Sequence, residues 1–301
     1  MTNSDTPTER FRDSLYGDDI TFLLEAHDGV SAKIVDEAGF DGIWASSLAM
    51  SASLGVRDAN EMSSSEVLRT VEYMSDIAST PIVVDADTGY GDFNNFRLFV
   101  AKLEQLGASA VCVEDKTFPK TNSFVDGEGN QQLATIEDFS AKIRAAKDIL
   151  EDDAFTVIAR TETFIAGEGL EVALERATAY HEAGADAIFI HSKLETADEV
   201  LQFIHEWDDR SPVIVVPTSY YRTPTDEFRE AGVSAVIWAN HTVRAAIQAM
   251  QRVAARIREE ESVIGVETDD EIVPVEELLR LQNVEELEQA KEHYLRSARG
   301  A

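Results

Sequence analysis

Cysteine is almost missing from this 301-residue chain, and Cys112 stands alone. One thiol excludes an internal disulfide and points to a reducing, cytoplasmic setting. Lysine is nearly as scarce, with eight residues, and Lys+Arg reaches only 26 against 57 Asp+Glu, a net charge of −31. A surface of that sign repels nucleic acid and anionic membranes, so neither is expected as a partner. Acid excess together with lysine poverty resembles the proteins of salt-accumulating, halophilic microbes. No apolar run reaches the roughly 18 residues a membrane-crossing helix needs. The stretch from Met1 to Arg12 is polar and of mixed charge, without the apolar core of a signal peptide. Internal repeats, low-complexity blocks and proline-rich linkers are also absent.

What the chain does have is alternation. Eight short runs rich in β-branched residues recur: Ile20–Glu25, Gly42–Ala45, Ile82–Asp85, Ala110–Glu114, Thr156–Arg160, Ala187–His191, Val213–Pro217 and Ala235–Trp238. Helical patterns separate them, and glycine punctuates several helix ends, as at Gly39, Gly107, Gly184 and Gly232. Eight β/α units in one chain predict an α/β fold of the (β/α)8 TIM-barrel type. We expect one domain over 1–301, with the barrel at about 18–261 and a helical C-terminal extension at about 262–301. In the extension, Val273–Gln282 and Val284–Arg296 read as helices that pack on a partner subunit or on the barrel's exterior.

One stretch fits neither element. Lys116 to Ala134 holds Pro119, Gly127 and Gly129 and no apolar period. It follows a strand directly, so it starts at the C-terminal mouth of the barrel, where a structureless loop of this length reads as a lid. Phe118 and Phe124 supply apolar area for sealing that mouth.

The strand ends carry the chemistry. Asp85 and Asp87 share parity and can both face the mouth. Glu114 shares parity with Cys112, which places that thiol in the barrel interior as a small core residue. Asp58 follows the second run. Converging carboxylates without clustered His or Cys suit Mg2+ or Mn2+. Arg160 and His191 end two other strands and can bind an anionic substrate. Trp44, Ser46, Ser47 and Leu48 lie in and just after the second run, where hydroxyls and backbone N–H groups can receive a phosphate or carboxylate. His27 and His241 follow the first and eighth runs; the remaining histidines read as surface or packing residues.

These residues together resemble a known family. The stretch Glu114-Asp115-Lys116-Thr117-Phe118-Pro119-Lys120-Thr121-Asn122-Ser123 is similar to the gating loop of the phosphoenolpyruvate mutases. Asp85-Ala86-Asp87-Thr88-Gly89-Tyr90-Gly91 resembles the metal-site motif of the wider isocitrate lyase superfamily. Leu54 to Asp58, Ile190 to Lys193 and Trp238 to His241 also look like the mutase. The resemblance implies a barrel whose last helix is swapped with a neighbour, in a homotetramer built as a dimer of dimers. It implies Mg2+ on Asp85, with Asp58, Asp87 and Glu114 holding its waters. Arg160, His191, Ser46, Ser47 and Leu48 would hold the substrate's phosphoryl and carboxylate groups beside a wall of Trp44. Lys120 and Asn122 would arrive with the closing loop. The implied reaction moves a phosphoryl group between the enol oxygen and C3 of pyruvate, interconverting phosphoenolpyruvate and phosphonopyruvate. One departure stands out: Ala45 and Ser47 occupy positions where the family carries glycine, which bears on substrate preference.

Three other readings compete. Phosphonopyruvate hydrolases share the fold and loop but lack the asparagine found here at Asn122. The carbon–carbon lyases and oxaloacetate-type hydrolases of the superfamily are a second alternative. The isocitrate-lyase-like lyases use a loop containing Cys and His, and this loop has neither. A non-catalytic scaffold, the third, would not need the full set of acids with Arg160 and His191.

Overall fold

A computed structural model describes residues 5–125 and 131–296. Gly127 and Gly129 of the expected lid lie outside the described residues. Eight parallel strands close into a barrel in sequence order. They are β1 (Thr21–Ala26), β2 (Gly42–Ala45), β3 (Ile82–Asp85), β4 (Ala110–Glu114), β5 (Thr156–Thr161), β6 (Ala187–Ile190), β7 (Val213–Val215) and β8 (Ala235–Trp238). Closure comes from β8 pairing with β1, Ala235 beside Thr21. All eight predicted runs form strands, with ends shifted by at most two residues.

Among the described residues nine helices precede the last strand: α1 (Pro7–Leu15), α2 (Gly29–Glu37), α3 (Ser47–Leu54), α4 (Ser64–Ile77), α5 (Phe93–Gln105), α6 (Ile136–Ile149), α7 (Leu170–Glu182), α8 (Asp198–Trp207) and α9 (Thr225–Glu230). Two of them, α1 and α3, were not anticipated. The first is started by a capping box in which Thr6 and Glu9 satisfy each other's backbone N–H, with Pro7 in its first turn. The second starts where Ser46 Oγ accepts from Ala49 N and ends at Gly55, whose φ of +72° favours glycine.

Strand parity divides the core in two. Leu23, Trp44, Val83, Ala110, Cys112, Ile158, Phe189, Ile214 and Ile237 pack together inside the barrel, and Phe11 and Leu15 of α1 join them. Cys112 therefore sits where its parity predicts. Residues of the opposite parity, such as Ile43, Val84, Val113 and Val157, pack outward against Val71, Phe99, Ile143 and Phe203 of the surrounding helices. Each such fully buried side chain contributes about 1.5–3 kcal/mol by leaving water.

The chain divides into two compact units, Met1–Val243 and Arg244–Ala301. Besides most of α10 (His241–Glu260), the second holds α11 (Ile264–Thr268), α12 (Val275–Leu281) and α13 (Val284–Arg296). Arg256 ties it internally, pairing with Glu260 at 2.8 Å, Asp269 at 2.7 Å and Glu271 at 2.6 Å, and Arg252 joins Glu271 at 3.2 Å. Many of its apolar side chains stay exposed, among them Ile264, Val273, Val275 and Tyr294.

Candidate active site

The barrel mouth is built from two groups of strand ends that differ in charge. On one side, β3 runs into a tight turn from Asp85 to Gly91. Asp87 adopts a left-handed φ of +50°, a conformation that Asp tolerates better than most residues. Gly89 follows at φ +86°, and a Cβ there would lie 2.9 Å from the Phe96 ring, so only glycine fits. Lys142 Nζ donates to the Thr88 carbonyl at 2.7 Å and braces the turn. Asp85 and Asp87 are thereby held side by side, both buried, with Glu114 at the end of β4 beside them.

Ser47, in the first turn of α3, reaches this pair. Its Oγ lies 2.9 Å from Asp85 Oδ2 and 2.5 Å from Asp87 Oδ1. Lys120, from the loop after β4, enters the same cluster. Its Nζ stands 2.8 Å from Asp58 Oδ1, 2.5 Å from Asp87 Oδ1 and 3.3 Å from Ser47 Oγ. Asn122 Nδ2 donates to Asp58 Oδ2 at 2.6 Å. The loop thus folds onto the mouth through two side chains that share Asp58. Its root is fixed by an antiparallel bridge between Lys116 and Leu133.

Three aspartates around one ammonium, with Glu114 Oε2 3.5 Å from Arg160 Nε, leave negative charge uncompensated. Burial, against the pull of Lys120 and with help from Asp85 and Asp58, pushes the Asp87 carboxyl up to about 6. Burial likewise pushes Glu114 up to about 7, with Arg160 and Lys116 opposing and Glu162 adding to the rise. Burial works against the charge of Lys120, but Asp87 and Asp58 outweigh it and raise its pKa well above the usual range.

The other side is cationic. Arg160 on β5 and His191 just past β6 flank the cavity, with Arg160 Nη2 2.9 Å from His191 Nδ1. Glu162, also fully buried, receives both: Arg160 Nε through a short bond and His191 Nδ1 at 2.7 Å. Burial works against its charge, but Arg160 and His191 outweigh it and hold this carboxyl well below the usual range. Burial dominates at His191 and lowers its pKa despite Glu162.

Between the two sides lies a cavity of about 500 Å³, open solvent at its mouth included. Trp44, Ser46, Ser47, Leu48, Asp58, Asp85, Lys120, Asn122, Arg160 and His191 all line it. Asp87 and Glu114 sit just behind that lining. Phe124 faces in, its ring edge-on to His191 at 6.3 Å between centroids. Phe118 does not line the cavity and is half exposed, so of the two aromatic seals expected only Phe124 is positioned to act.

The arrangement agrees with what the chain is similar to. The family model described as phosphoenolpyruvate phosphomutase matches residues 11–258. The chain belongs to the phosphoenolpyruvate phosphomutase family. The phosphoenolpyruvate phosphomutase of Tetrahymena pyriformis is 52% identical over 293 residues, covering 97% of each chain. A crystal structure of phosphoenolpyruvate phosphomutase from Streptomyces platensis subsp. rosaceus superposes with a TM-score of 0.92 at 38% identity. It covers 96% of this chain and 99% of that one. A phosphonopyruvate hydrolase solved in complex with oxalate and Mg++ superposes at 0.89 and 38% identity, over 97% of this chain and 100% of the other.

A divalent cation fits the acid side of this phosphomutase-family site. Its donors, from Asp58, Asp85, Asp87 and Glu114, are all hard oxygens. Glu114 Oε1 is buried with no hydrogen-bond partner among the described residues. As the side chains stand, no three His, Cys, Asp or Glu among the described residues converge closely enough to grip a metal. The Lys120 ammonium holds Asp58 and Asp87 instead.

Several residues of the site were not singled out from the sequence. Glu162 is the foremost, and Asn60 is another: its Nδ2 donates to Asp87 Oδ2 at 3.0 Å while its Oδ1 accepts from Lys120 N at 2.7 Å. Arg57, next to Asp58, points away and pairs with Glu61. His27 bonds Glu25 at 2.7 Å, and Glu25 also accepts from Thr242 Oγ1 and Val243 N. That cluster fastens the start of α10 to β1.

Proposed function

We propose that this protein interconverts phosphoenolpyruvate and phosphonopyruvate. The observation that supports this reading most is the loop: Lys120 and Asn122 meet Asp58 on one side of a cavity whose other side carries Arg160 and His191. In the reaction, the P–C3 bond of phosphonopyruvate breaks as a P–O bond forms at the enol oxygen, so atoms and electrons balance without a co-substrate. A phosphoryl group in loose transit asks the protein for positioning and charge compensation. Arg160 and His191 hold the anionic groups, with Ser46, Ser47 and Leu48 lining the opposite wall and Trp44 the floor. Lys120 adds positive charge as the loop closes. The Asn122 amide donates a hydrogen bond without acting as a base, and Phe124 excludes water. Mg2+, or Mn2+ in its place, would be held by Asp85, with Asp58, Asp87 and Glu114 around it. When bound, it supplies charge neutralisation at the substrate's carboxylate and enolate oxygens.

The same reading takes the chain as a single catalytic domain working in the cytoplasm as a homotetramer, with the last barrel helix exchanged between neighbours. The exposed apolar residues of the second unit, Val273, Val275 and Tyr294 among them, support a role in assembly. The −31 charge supports a salt-adapted, halophilic source. Phosphorus NMR of the protein with phosphonopyruvate and Mg2+ tests the central claim. A growing phosphate-ester signal is expected. Inorganic phosphate would make the protein a hydrolase, and an unchanged spectrum would sink both readings.

A further inference from the structure

Glu162 is placed to do more than fill the space behind Arg160 and His191. One of its oxygens, Oε1, receives Arg160 Nε and His191 Nδ1. The other, Oε2, receives Ser123 Oγ at 2.7 Å and lies 3.0 Å from Lys116 Nζ. Both of these partners belong to the loop after β4. Lys116 Nζ itself donates to Ser123 Oγ at 2.7 Å and to the Thr121 carbonyl at 3.0 Å. Ser123 lies between Asn122, which reaches Asp58, and Phe124, which meets His191. A single buried carboxylate therefore has one oxygen committed to the anion-holding pair and the other to the loop.

We propose that Glu162 is a positioning residue that couples closure of the loop to anion binding by Arg160 and His191. This rests on the reading of those two residues as the anion holders. When the loop lifts, Ser123 withdraws its proton from Oε2 and a buried acceptor is left short of a partner, which is costly. The carboxylate then draws harder on the donors that remain. Arg160 and His191 are then held on Glu162 more tightly and are less available to the cavity. When an anion occupies the cavity it recruits those two donors, and Oε2 gains from Ser123's return. Binding and closure favour each other, and by linkage the effect is equal in both directions.

The test uses oxalate with Mg2+ as the anionic probe and chymotrypsin as the reporter, since Phe124 is half exposed on the loop. The quantity read is the rate of cleavage after Phe124 without probe divided by the rate at saturating probe. General loosening raises both rates and cancels from this ratio, so a merely structural role would not move it. The wild type is expected to show protection of about tenfold or more, within the usual range of coupling between sites. Glu162→Gln keeps the volume and removes the charge. Its ratio should fall below about twofold while its oxalate Kd rises about tenfold. Glu162→Asp, which keeps the charge, should recover part of both. If Glu162→Gln fails to fold, Ser123→Ala deletes only the loop's hydroxyl and should also lower the ratio. A wild-type ratio in either folded variant, or no protection in the wild type, overturns the coupling. Turnover of phosphonopyruvate followed in parallel keeps the two readings apart. Protection without phosphoenolpyruvate formation removes the mutase and leaves the coupling. Mutase activity with an unchanged ratio in Glu162→Gln does the reverse.

Discussion

The two sides of the barrel mouth solve the problem of buried charge in opposite ways. On the β5–β6 side, Arg160, His191 and Lys116 surround Glu162, and every oxygen of that carboxylate is used. On the β3–β4 side, the Lys120 ammonium pairs with Asp58 and Asp87 only, Glu114 Oε2 reaches Arg160 at 3.5 Å, and Glu114 Oε1 has no hydrogen-bond partner among the described residues. The first side is balanced from within. The second is left needing positive charge, and burial pushes its Asp87 and Glu114 upward to about 6 and 7. A balanced cluster needs no further ion, whereas an unbalanced one is a receptor for a cation.

The strongest way to break this comparison is to empty the unbalanced side of its central acid. Asp85→Ala should abolish Mn2+ binding, followed by electron paramagnetic resonance, and with it nearly all turnover. Full activity in the presence of a chelator would refute the assignment. Next in size is the bridge between the sides. Asn122→Ala should lower turnover about a hundredfold, the scale of one lost transition-state donor, while Mn2+ affinity and the far-UV spectrum stay unchanged. Wild-type kcat in this variant would end the role given to the lid. A smaller effect is expected at Ser47, whose hydroxyl spans Asp85 and Asp87 without being an acid itself. Ser47→Ala should weaken Mn2+ binding about tenfold, as loss of a residue that orients metal ligands does.

A titration away from both sides sharpens the contrast. His27, although burial opposes its charge, is raised by its bond to Glu25 and that residue's charge. A group whose folded pKa exceeds its unfolded value stabilises fully below the unfolded pKa of about 6.5. That contribution is lost as pH rises through the folded value. His27→Gln should therefore lower the melting midpoint more at pH 5.5 than at pH 9. An equal drop at both would remove the ion pair as the cause. The smallest effect concerns the whole surface: with a net charge of −31, the melting midpoint should climb gradually from low to molar KCl as self-repulsion is screened. A flat or falling curve would dismiss the halophilic reading.

How much of this was readable beforehand follows from what a one-dimensional pattern can carry. Asp85, Asp87, Glu114, Arg160 and His191 were found because strand parity and strand ends are local properties. Glu162 shares parity with Arg160, two residues on, and could have been flagged by running β5 past Arg160. Ser46 and Ser47 are read from the sequence as anion-binding groups without a helix, although a serine cap with Gly55 nine residues later signals α3. In α1, Thr6, Pro7 and Glu9 announced a helix that polar composition concealed. Asn60 had no signal, since its two bonds join Asp87 and Lys120 across 27 and 60 residues of chain. Contacts of that kind exist only once the barrel has closed.

Phe11 and Leu15, at the base of the barrel interior, have a consequence for traffic. With those side chains buried in one cluster with the residues that fill the barrel, the barrel is a cup and not a tube. Whatever reacts at its rim must enter and leave by one doorway, under the same loop. Incoming and outgoing molecules cannot pass each other there, so each turnover must wait for the previous occupant to clear the threshold.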